Sequence, residues 1–266
     1  MTHRVTSAAN PAVKMLKSLH TKKGRHETGL FLAEGARLAA EAAELGVWPH
    51  VMAFSGAALE RPQVRALTDE ASRRGVRLLE MNEALLSQIA KRDNPQTVIG
   101  AYPQRVADLD EMTGDFFVAL EGVRDPGNLG TILRTADSVG ACGVVLVNQT
   151  CDPFSVEAVR ASMGSVFAMP FARVSFDELD AWRRVRGQQM IGASLKGTLP
   201  HDAPDAKKPT LVLMGNEQSG LPADIEARCD ALVRIPMRGR ADSLNLAAAT
   251  AVLLYDVWRR RGYDGA

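Results

Sequence analysis

The sequence predicts an α/β fold with a mainly parallel sheet. Short apolar runs alternate with helical stretches along the 266 residues, and several of these runs stop at loops rich in Gly, Asn and Ser. Alternation of this kind is typical of βαβ units, whose parallel strands are covered by helices on both faces. Loops that follow such strands form the ligand-binding edge of open α/β sheets.

Composition excludes several classes of protein. The chain is 46% hydrophobic and 24% charged, with a formal net charge of +1, which is ordinary for a globular protein. It has no run of roughly 18 apolar residues that could cross a bilayer, and its N-terminus lacks the apolar core of a secretory signal. Three scattered cysteines without a CxxC pair argue against a disulfide framework or a zinc site. We therefore expect a reduced, cytoplasmic protein that holds no metal.

Charge is unevenly distributed along the chain. Residues 1–105 contain 15 Lys and Arg against 10 Asp and Glu, whereas the remainder contains 17 against 21. The first 26 residues include no acidic side chain and six basic ones, namely Arg4, Lys14, Lys17, Lys22, Lys23 and Arg25. A basic segment of this kind attracts a phosphate backbone, although chance clustering on a solvated surface also accounts for it.

The first hundred residues are expected to form small α/β units. Apolar patterning predicts helices over 10–20, 35–45, 63–74 and 83–90, and strands over 31–33, 47–54, 76–79 and 98–102. Asn82 is expected to cap the last of these helices, because Asn is a favoured N-cap residue. Apolar patterning fades between Pro103 and Gly114. We therefore predict an N-terminal domain over 1–105, a linker over 106–114 and a second domain over 115–266.

The second domain alternates strands and helices. Strands are predicted over 116–120, 144–147, 190–193, 211–214 and 232–235, with a brief one around Phe167 and Met169. Helices are predicted over 129–139, 155–163, 176–185 and 246–260. We expect the last helix to start at Asp242 or Ser243 and to end at three arginines, as the helix dipole favours.

The loop after the first strand of this domain is the first candidate site. Residues 125–136 read DPGNLGTILRTA and follow a buried strand. They contain neither the dinucleotide fingerprint G-x-G-x-x-G nor a P-loop G-K-[ST]. Asn128 and Arg134 are six positions apart, so they roughly share a helix face and could reach one ligand. Taken alone, these two residues are better explained as a helix N-cap and a solvated helix charge.

Two later loops complete the pattern. Residues 211–222 read LVLMGNEQSGLP, and residues 235–249 read IPMRGRADSLNLAAA. Each loop follows an apolar run, and the second one opens the long final helix. Either alone could be an ordinary turn or cap. Together, at successive strand ends, they predict a pocket walled by backbone amides and carbonyls, which suits a nucleotide-like ligand.

These motifs, in this order, resemble those of the SpoU/TrmH family of RNA 2′-O-ribose methyltransferases. The matching patterns are N-x-G-x-x-x-R at Asn128, Gly130 and Arg134, G-N-E-x-x-G from Gly215, and I-P-M…S-L-N-x-A from Ile235. The N-terminal S-A-A-N-P from Ser7 and F-L-A-E-G from Phe31 are similar to the substrate-binding domain of many members. The resemblance covers nearly the whole chain.

The resemblance implies a specific architecture and cofactor. It implies a methyltransferase domain with a deep C-terminal trefoil knot, which departs from the rule that chains do not thread themselves, and a smaller N-terminal α/β RNA-binding domain. It also implies a homodimer whose active site is completed across the interface, with S-adenosyl-L-methionine as methyl donor. The implied cofactor-binding positions are Leu213, Gly215, Asn216, Gly220, Ile235, Met237, Ser243 and Leu244.

The same resemblance implies roles for individual side chains. Members of the family are proposed to use the arginine that matches Arg134 as a base. A guanidinium, however, keeps its proton, because its pKa is above about 12. We therefore expect Arg134 to hold the target phosphate or the developing alkoxide. Asn128 and Asn245 would orient the RNA and the helix ends, Glu217 would fix Arg134 or Asn128, and Ser243 would bond within its own loop.

The predicted RNA contacts lie mainly in the N-terminal domain. Aromatic residues are few over 1–105, so electrostatics and shape would dominate there; the candidates are Lys14, Lys22, Lys23, Arg25 and Ser162. Ser162 is included because Arg160-Ala161-Ser162 resembles a family segment. The expected substrate is ribosomal RNA of the large subunit; the alternatives are transfer RNA, a catalytically silent RNA-binding relative and, without a dinucleotide fingerprint to support it, a nucleotide-dependent oxidoreductase.

Overall fold

The computed structural model describes residues 2–265 and groups them into two compact units. The first unit comprises the chain up to Arg105 together with Asp152–Ala168. The second comprises Val106–Cys151 and the chain from Met169 onward. The domain scheme predicted from the sequence is wrong for residues 152–168, which pack with the first unit although motif order assigns them to the second.

Twelve strands and eleven helices are present in the described part of the chain. The strands are β1 (Thr2–Val5), β2 (Leu30–Glu34), β3 (Val51–Ser55), β4 (Arg77–Met81), β5 (Val98–Pro103), β6 (Phe116–Glu121), β7 (Gly143–Val147), β8 (Phe171–Val174), β9 (Gln189–Ala193), β10 (Leu199–Pro200), β11 (Thr210–Met214) and β12 (Ala231–Arg234). The helices are α1 (Pro11–Ser18), α2 (Lys22–Thr28), α3 (Ala36–Glu44), α4 (Pro62–Arg73), α5 (Glu83–Ala90), α6 (Pro126–Ser138), α7 (Val156–Ser162), α8 (Ser165–Ala168), α9 (Phe176–Val185), α10 (Ala223–Glu226) and α11 (Leu246–Arg260). Short 3-10 turns occur at Gly56–Glu60 and Leu109–Glu111.

The first unit is built on a five-stranded mixed sheet in the order β1-β4-β3-β5-β2. Strands β1, β4 and β3 run parallel, whereas β5 is antiparallel to both β3 and β2. One apolar cluster unites the sheet with α1 and α5, and a second unites it with α4. Alternate strand residues serve the two clusters, for example Ala53 in one and Met52 in the other, because successive side chains point to opposite faces.

The segment Asp152–Ala168 is tied to this unit by aromatic and ionic contacts. The ring of Phe31 lies 5.0 Å from that of Phe154 and 5.7 Å from that of Phe167. Arg160 is ion-paired to Glu34 at 2.7 Å. The strand predicted around Phe167 and Met169 is wrong: Phe167 belongs to α8, its ring packs 4.8 Å from that of Tyr102, and the next strand begins at Phe171.

The second unit contains a seven-stranded sheet in the order β10-β12-β9-β11-β6-β7-β8. Every pairing within this sheet is parallel. On one face, Phe117 and Ala119 form an apolar cluster with residues of α9 and α10. Helices α6 and α11 pack against each other. The predicted mainly parallel α/β class is therefore confirmed, and the carboxyl ends of β6, β11 and β12 share one edge of the sheet.

Side-chain caps fix where the helices at this edge begin. Asp125 caps α6 by accepting a hydrogen bond from the backbone N–H of Asn128 at 2.6 Å, with Pro126 in the first turn, an arrangement favoured at helix starts. Asn245 caps α11 by accepting from the N–H of Ala247 at 2.9 Å. The predicted start at Asp242 or Ser243 is wrong because the Asn245 side chain takes the capping role. No helix within residues 2–265 is long and apolar enough to cross a membrane.

Candidate active site

Three loops meet at the carboxyl edge of the second unit's sheet. They follow β6, β11 and β12. The first leads into α6, which has Asn128 in its first turn, and the other two contain Glu217 and Asn245 respectively. Strand β11 pairs with β6 so that Met214 lies opposite Leu120. The loops after Met214 and after β6 therefore emerge side by side. This is the position at which open α/β sheets bind ligands.

The Glu217 carboxylate joins two of the loops. Its Oε1 accepts hydrogen bonds from the backbone N–H of Asp125 at 3.2 Å and from Asn128 Nδ2 at 3.3 Å. Its Oε2 accepts from the backbone N–H of Arg124 at 3.3 Å. One carboxylate thus satisfies backbone donors just before α6, where the dipole of the helix also favours negative charge.

Asn128 and Asn245 bring in the third loop. Asn245 Nδ2 donates to Asn128 Oδ1 at 3.0 Å, while Asn245 Oδ1 caps α11. Asn128 therefore uses its oxygen toward Asn245 and its amide N–H toward Glu217. The three side chains form one continuous hydrogen-bonded chain across the three loops, here called the Glu217–Asn128–Asn245 network.

The hydrogen bonds of the network control the charge of Glu217. Partial burial alone would raise the pKa of its carboxyl. Hydrogen bonds from its own backbone N–H, from Asn128 and from the N–H groups of Asp125 and Arg124 outweigh burial and hold the pKa below its usual range. Glu217 is therefore an ionised acceptor at neutral pH and is suited to fixing its neighbours rather than to taking a proton.

Gly215 makes the tight turn after β11 possible. A Cβ at this position would lie 2.3 Å from the carbonyl carbon of Gly220 and 2.4 Å from the backbone N of Leu221. Asn216 and Gly220 exchange two backbone hydrogen bonds of 3.1 and 3.0 Å, and Gly220 has a φ of 67°, which favours glycine. The Asn216 side chain donates to the carbonyl of Gly122 at 2.7 Å, so it braces the loops.

Arg134 stands apart from the network. It lies on α6, six residues after Asn128, and it is exposed. Within residues 2–265 its guanidinium makes no hydrogen bond or ion pair, and Glu217 bonds Asn128 instead. A fixed charge without a protein partner is available to an anionic ligand. Ser243 also stays outside the network, because its hydroxyl donates to Asp242 at 3.2 Å within its own loop.

The remaining predicted cofactor positions differ in what they can offer. The side chain of Leu213 is fully buried in the core, so only its backbone could touch a ligand. Ile235 is partly buried, and Met237 and Leu244 are exposed. Exposed apolar side chains on these loops suit the adenine ring of S-adenosyl-L-methionine. The residues present therefore fit that cofactor.

One further loop at this edge of the sheet belongs to none of the three sequence motifs. Strand β9 lies between β12 and β11, so residues 194–197 emerge among the predicted cofactor positions. Leu195 is exposed there, and the Ser194 hydroxyl donates to Glu226 at 2.6 Å. A Cβ on Gly197 would lie 2.7 Å from the backbone of Val233. In the sequence, Gly197 of the stretch S-L-K-G is the one feature that could have indicated this loop, and a single glycine is weak evidence for a site.

The predicted RNA contacts have mixed outcomes. Lys14, Lys22 and Lys23 are exposed on α1 and α2. Arg25 is wrong as an RNA contact, because its side chain is buried, ion-paired with Asp152 at 2.8 Å and bonded to the carbonyl of Leu19. Ser162 is also wrong, because it is fully buried and its hydroxyl donates to the carbonyl of Val159.

No group of three or more His, Cys, Asp and Glu side chains that could hold a metal ion occurs within residues 2–265. In the described residues, Cys142, Cys151 and Cys229 form no disulfide. Burial, the largest influence on Cys229, raises the pKa of its thiol to about 11. That thiol is therefore protonated and unreactive at neutral pH.

The parallel sheet, the tight glycine turn and the network at its carboxyl edge define an α/β domain that binds a small ligand at its strand ends. Comparison with known proteins identifies the family to which this domain belongs. The model of the SpoU rRNA Methylase family matches residues 115–255, and that of the MRM3-like substrate binding domain matches residues 10–100. The chain belongs to the SpoU rRNA methylase family.

Similar proteins span the same length as this chain. It is 30% identical to the 23S rRNA (guanosine(2553)-2′-O)-methyltransferase RlmP of Bacillus subtilis, over 95% of this chain and 98% of that one. It is 32% identical to the 23S rRNA (uridine(2479)-2′-O)-methyltransferase of Streptomyces viridochromogenes, over 97% and 92%. The crystal structure of an AdoMet-bound rRNA methyltransferase from Sinorhizobium meliloti is 46% identical, with a TM-score of 0.91 over 97% and 98% of the two chains.

A second solved relative also contains the cofactor. The SpoU methyltransferase AviRb of Streptomyces viridochromogenes, in complex with AdoMet, has a TM-score of 0.83 at 30% identity, over 97% of this chain and all of that one. The family, the enzyme class of RNA 2′-O-methyltransferases and the cofactor S-adenosyl-L-methionine, all expected from the three motifs, are thereby confirmed.

Proposed function

We propose that this enzyme methylates a ribose 2′-hydroxyl of large-subunit ribosomal RNA, in the cytoplasm. The observation that supports the site is the Glu217–Asn128–Asn245 network, which holds three strand-end loops in one arrangement. The substrate class rests on the relatives named above, two of which act on 23S rRNA. The match of residues 10–100 to a substrate-binding domain agrees with an RNA of some size.

The reaction requires a nucleophile with weak intrinsic reactivity. A ribose 2′-hydroxyl attacks well only as its proton leaves. When bound, S-adenosyl-L-methionine supplies an electrophilic methyl group on a sulfonium centre. The exposed Arg134 guanidinium holds the target phosphate and the charge that develops on the 2′-oxygen. Asn128, Glu217 and Asn245 orient the loops around these groups, and Ser243 supports its own loop.

The proposed cofactor positions are those along the loops after β11 and β12. Backbone groups around Gly215, Ile235 and Leu244 would bond the adenosyl moiety, with further contacts from the backbone of Leu213 and from Gly220, Met237 and Ser243. The close turn after β11 depends on Gly215, because a Cβ there would meet the backbone of Gly220 at 2.3 Å. Asn216 contributes by bracing this turn through Gly122.

We propose that the second unit contains a deep trefoil knot. Strand β12 is the last strand in the sequence, but it lies inside the sheet, between β10 and β9. Helix α11 then packs on α6. The likeness to solved SpoU methyltransferases supports the same course of the chain.

We also propose a homodimer in which the interface completes the active site. Helix α11 exposes Ala248, Val252 and Tyr255, which lie along one stripe at helical spacing. Val252 and Tyr255 are 38% and 44% exposed, and an apolar stripe of this kind is typical of a covered surface. The stripe belongs to the helix that Asn245 caps, so its pairing would bear directly on the site.

The N-terminal unit is proposed to select the RNA. Lys14, Lys22 and Lys23 present positive charge on α1 and α2, and phosphate contacts position a protein on its nucleic acid. We propose that residues 1–105, together with the segment 152–168 that packs with them, form the RNA-selecting unit, and that residues 106–114 are the linker to the methyltransferase domain. In the linker, Leu109 and Met112 are buried in the core of the second unit, so its second half is anchored there.

Methyl transfer to defined RNA tests the proposal. Purified protein is incubated with methyl-labelled S-adenosyl-L-methionine and with large-subunit ribosomal RNA from a strain that lacks the gene. We expect label at one ribose, located by the resistance of the adjacent bond to alkaline cleavage. Small-subunit RNA and transfer RNA are the controls. Label in transfer RNA alone would refute the substrate class, and binding of RNA without any transfer would refute the activity.

A further inference from the structure

A polar cleft in the first unit lies at the edge of its sheet. It is formed where β3 and β4 end and β5 begins, between the first turns of α5 and the loop 93–97, and its volume is about 240 Å³. Strands β3 and β4 are parallel and end together, because Ser55 pairs in register with Met81. The cleft thus occupies the ligand-binding edge of a parallel strand pair.

Polar side chains line this cleft. They include two hydroxyls, two carboxylates and two amides, namely Ser55, Thr97, Glu83, Asp93, Asn94 and Gln96. Within residues 2–265, none of these side chains donates or accepts a hydrogen bond, and none forms an ion pair. Polar side chains that surround a cleft without internal partners are free to bond a ligand.

Ser55 gives the strongest indication of a missing partner. The residue is only 3% exposed, and its Oγ has no hydrogen-bond partner among residues 2–265. The backbone N–H of Ser55 is bonded to the carbonyl of Thr97 at 3.1 Å, so the hydroxyl alone is left unsatisfied. A buried hydroxyl without a partner costs free energy, and a ligand that bonds it would remove that cost.

The chemistry of the lining selects the ligand. Two carboxylates, Glu83 and Asp93, repel phosphate but accept hydrogen bonds from amino groups. The amides of Asn94 and Gln96 both donate and accept, which matches the mixed edge of a nucleobase. Lys91 and Arg92, which are exposed immediately before the loop, can hold the phosphates that flank such a base.

We propose that this cleft binds one unpaired nucleobase with an exocyclic amino group, splayed out of the RNA substrate. Specific recognition of RNA favours unstacked bases in loops and bulges, read along their hydrogen-bonding edges. Asp93 and Glu83 accept from the amino group, and Ser55 bonds the base at the bottom of the cleft. This inference rests on the proposed function for the identity of the RNA, but not for the chemistry of the cleft.

The first test replaces Ser55 by alanine in the full-length enzyme. Removal of an unpartnered hydroxyl leaves the melting temperature unchanged or higher, so loss of folding does not confound the result. We expect the KM for large-subunit ribosomal RNA to rise about three- to tenfold, as for one lost hydrogen bond, with kcat and cofactor affinity unchanged. Ser72→Ala, at an exposed serine of α4, is the matched control and should leave the KM unchanged. An unchanged KM in Ser55→Ala overturns the proposal.

The second test uses short oligo(C), oligo(A) and oligo(U) as probes, with binding measured by fluorescence anisotropy. We expect the wild-type protein to bind oligo(C) and oligo(A) more tightly than oligo(U), and Asp93→Asn to narrow that difference, because an amide can donate to a uracil carbonyl. Equal binding of the three probes by the wild type overturns the proposal. This readout is independent of methyl transfer. An enzyme that methylates ribosomal RNA but shows no base preference would refute only the proposed base-binding cleft. An enzyme that shows the base preference but transfers no methyl group would refute only the proposed function.

Discussion

Asn245, which caps the last helix, donates its side-chain N–H to Asn128, which lies 117 residues earlier in the first turn of α6, at 3.0 Å. Asn128 in turn donates to Glu217 at 3.3 Å. Three loops that are distant in sequence therefore share one set of hydrogen bonds. Glu217 and Asn245 also accept hydrogen bonds from backbone N–H groups at the starts of α6 and α11, so the same side chains that join the loops also fix where the two helices begin.

Replacing Arg134 should abolish catalysis without disturbing the fold. We expect Arg134→Ala to lower kcat about a hundred- to thousandfold, the usual effect of removing a group that stabilises charge in the transition state. Its side chain is exposed and, in the part of the chain that the structure describes, makes no hydrogen bond or ion pair, so the melting temperature and the affinity for S-adenosyl-L-methionine should be unchanged. Methyl transfer and calorimetry measure these quantities. Full residual activity would refute the assigned role.

Adding one methyl group at Gly215 should damage the cofactor pocket. In Gly215→Ala the new Cβ would meet the backbone of Gly220 at 2.3 Å, and backbone cannot move aside cheaply. We expect the Kd for S-adenosyl-L-methionine, from calorimetry, to rise roughly tenfold or more. Gly239→Ala is the matched control, because its Cβ would meet nothing within 4 Å. Equal affinities of the two variants would contradict the prediction.

The exposed lysines of the first unit should make RNA binding sensitive to salt. If Lys14, Lys22 and Lys23 contact phosphates, each replacement by glutamine should lower the slope of log K against log salt by about 0.7–0.9. Filter binding of large-subunit ribosomal RNA at several salt concentrations measures this slope. Arg25→Gln should instead lower the melting temperature, because Arg25 is buried against Asp152. An unaltered slope in the variant with all three lysines replaced would exclude these lysines as phosphate contacts.

A buried ion cluster should dominate the stability of the second unit. The Asp180 carboxylate is nearly inaccessible and bonds Arg183 at 2.7 Å, Arg184 at 3.1 Å and Arg228 at 3.0 Å. Burial alone would raise its pKa, but hydrogen bonds from these arginines outweigh burial and lower the pKa to about 2. Its contribution is therefore fully present above the unfolded pKa near 3.8 and is lost as pH falls through about 2.

We expect Asp180→Ala to lower the free energy of unfolding by about 3 kcal/mol, since it removes the buried carboxylate that pairs with the buried guanidinium of Arg183 and with Arg184 and Arg228. Calorimetry at neutral pH should show the melting temperature fall by roughly 6–12 °C. Asp177→Ala removes the exposed partner of Arg228 and is the control, with a change within about 1 kcal/mol. Similar losses of unfolding free energy in the two variants would contradict the view that burial makes the Asp180 ion pairs stabilising.

Capped helices and buried parallel strands could be predicted well from the sequence. The predicted bounds of α5 and α9 agree with the structure, and Asn82 supplies the predicted cap of α5. The elements that were missed have no such signal. Strand β1 has no apolar run and exists through its backbone pairing with β4, and α2, with the sequence KKGRHET, has no amphipathic pattern.

The site could be predicted as a set of loops but not in its contacts. Motif order located Asn128, Glu217 and Asn245, whereas the choice of Asn128 over Arg134 as the partner of Glu217 depends on where α6 starts. Arg25 was misassigned because its partner Asp152 lies 127 residues away. Only tertiary packing distinguishes a buried, paired arginine from an exposed one, so charge clustering along the sequence overestimates the RNA-binding surface.

A double-mutant cycle on Asn128→Ala and Asn245→Ala, with methyl transfer as the readout, tests most directly whether the three loops act as one site. Each single variant should lower kcat/KM, and the double variant should lose little more than either, because one broken link already frees the loops. Losses that multiply, or a single variant with wild-type kcat/KM, would contradict this account.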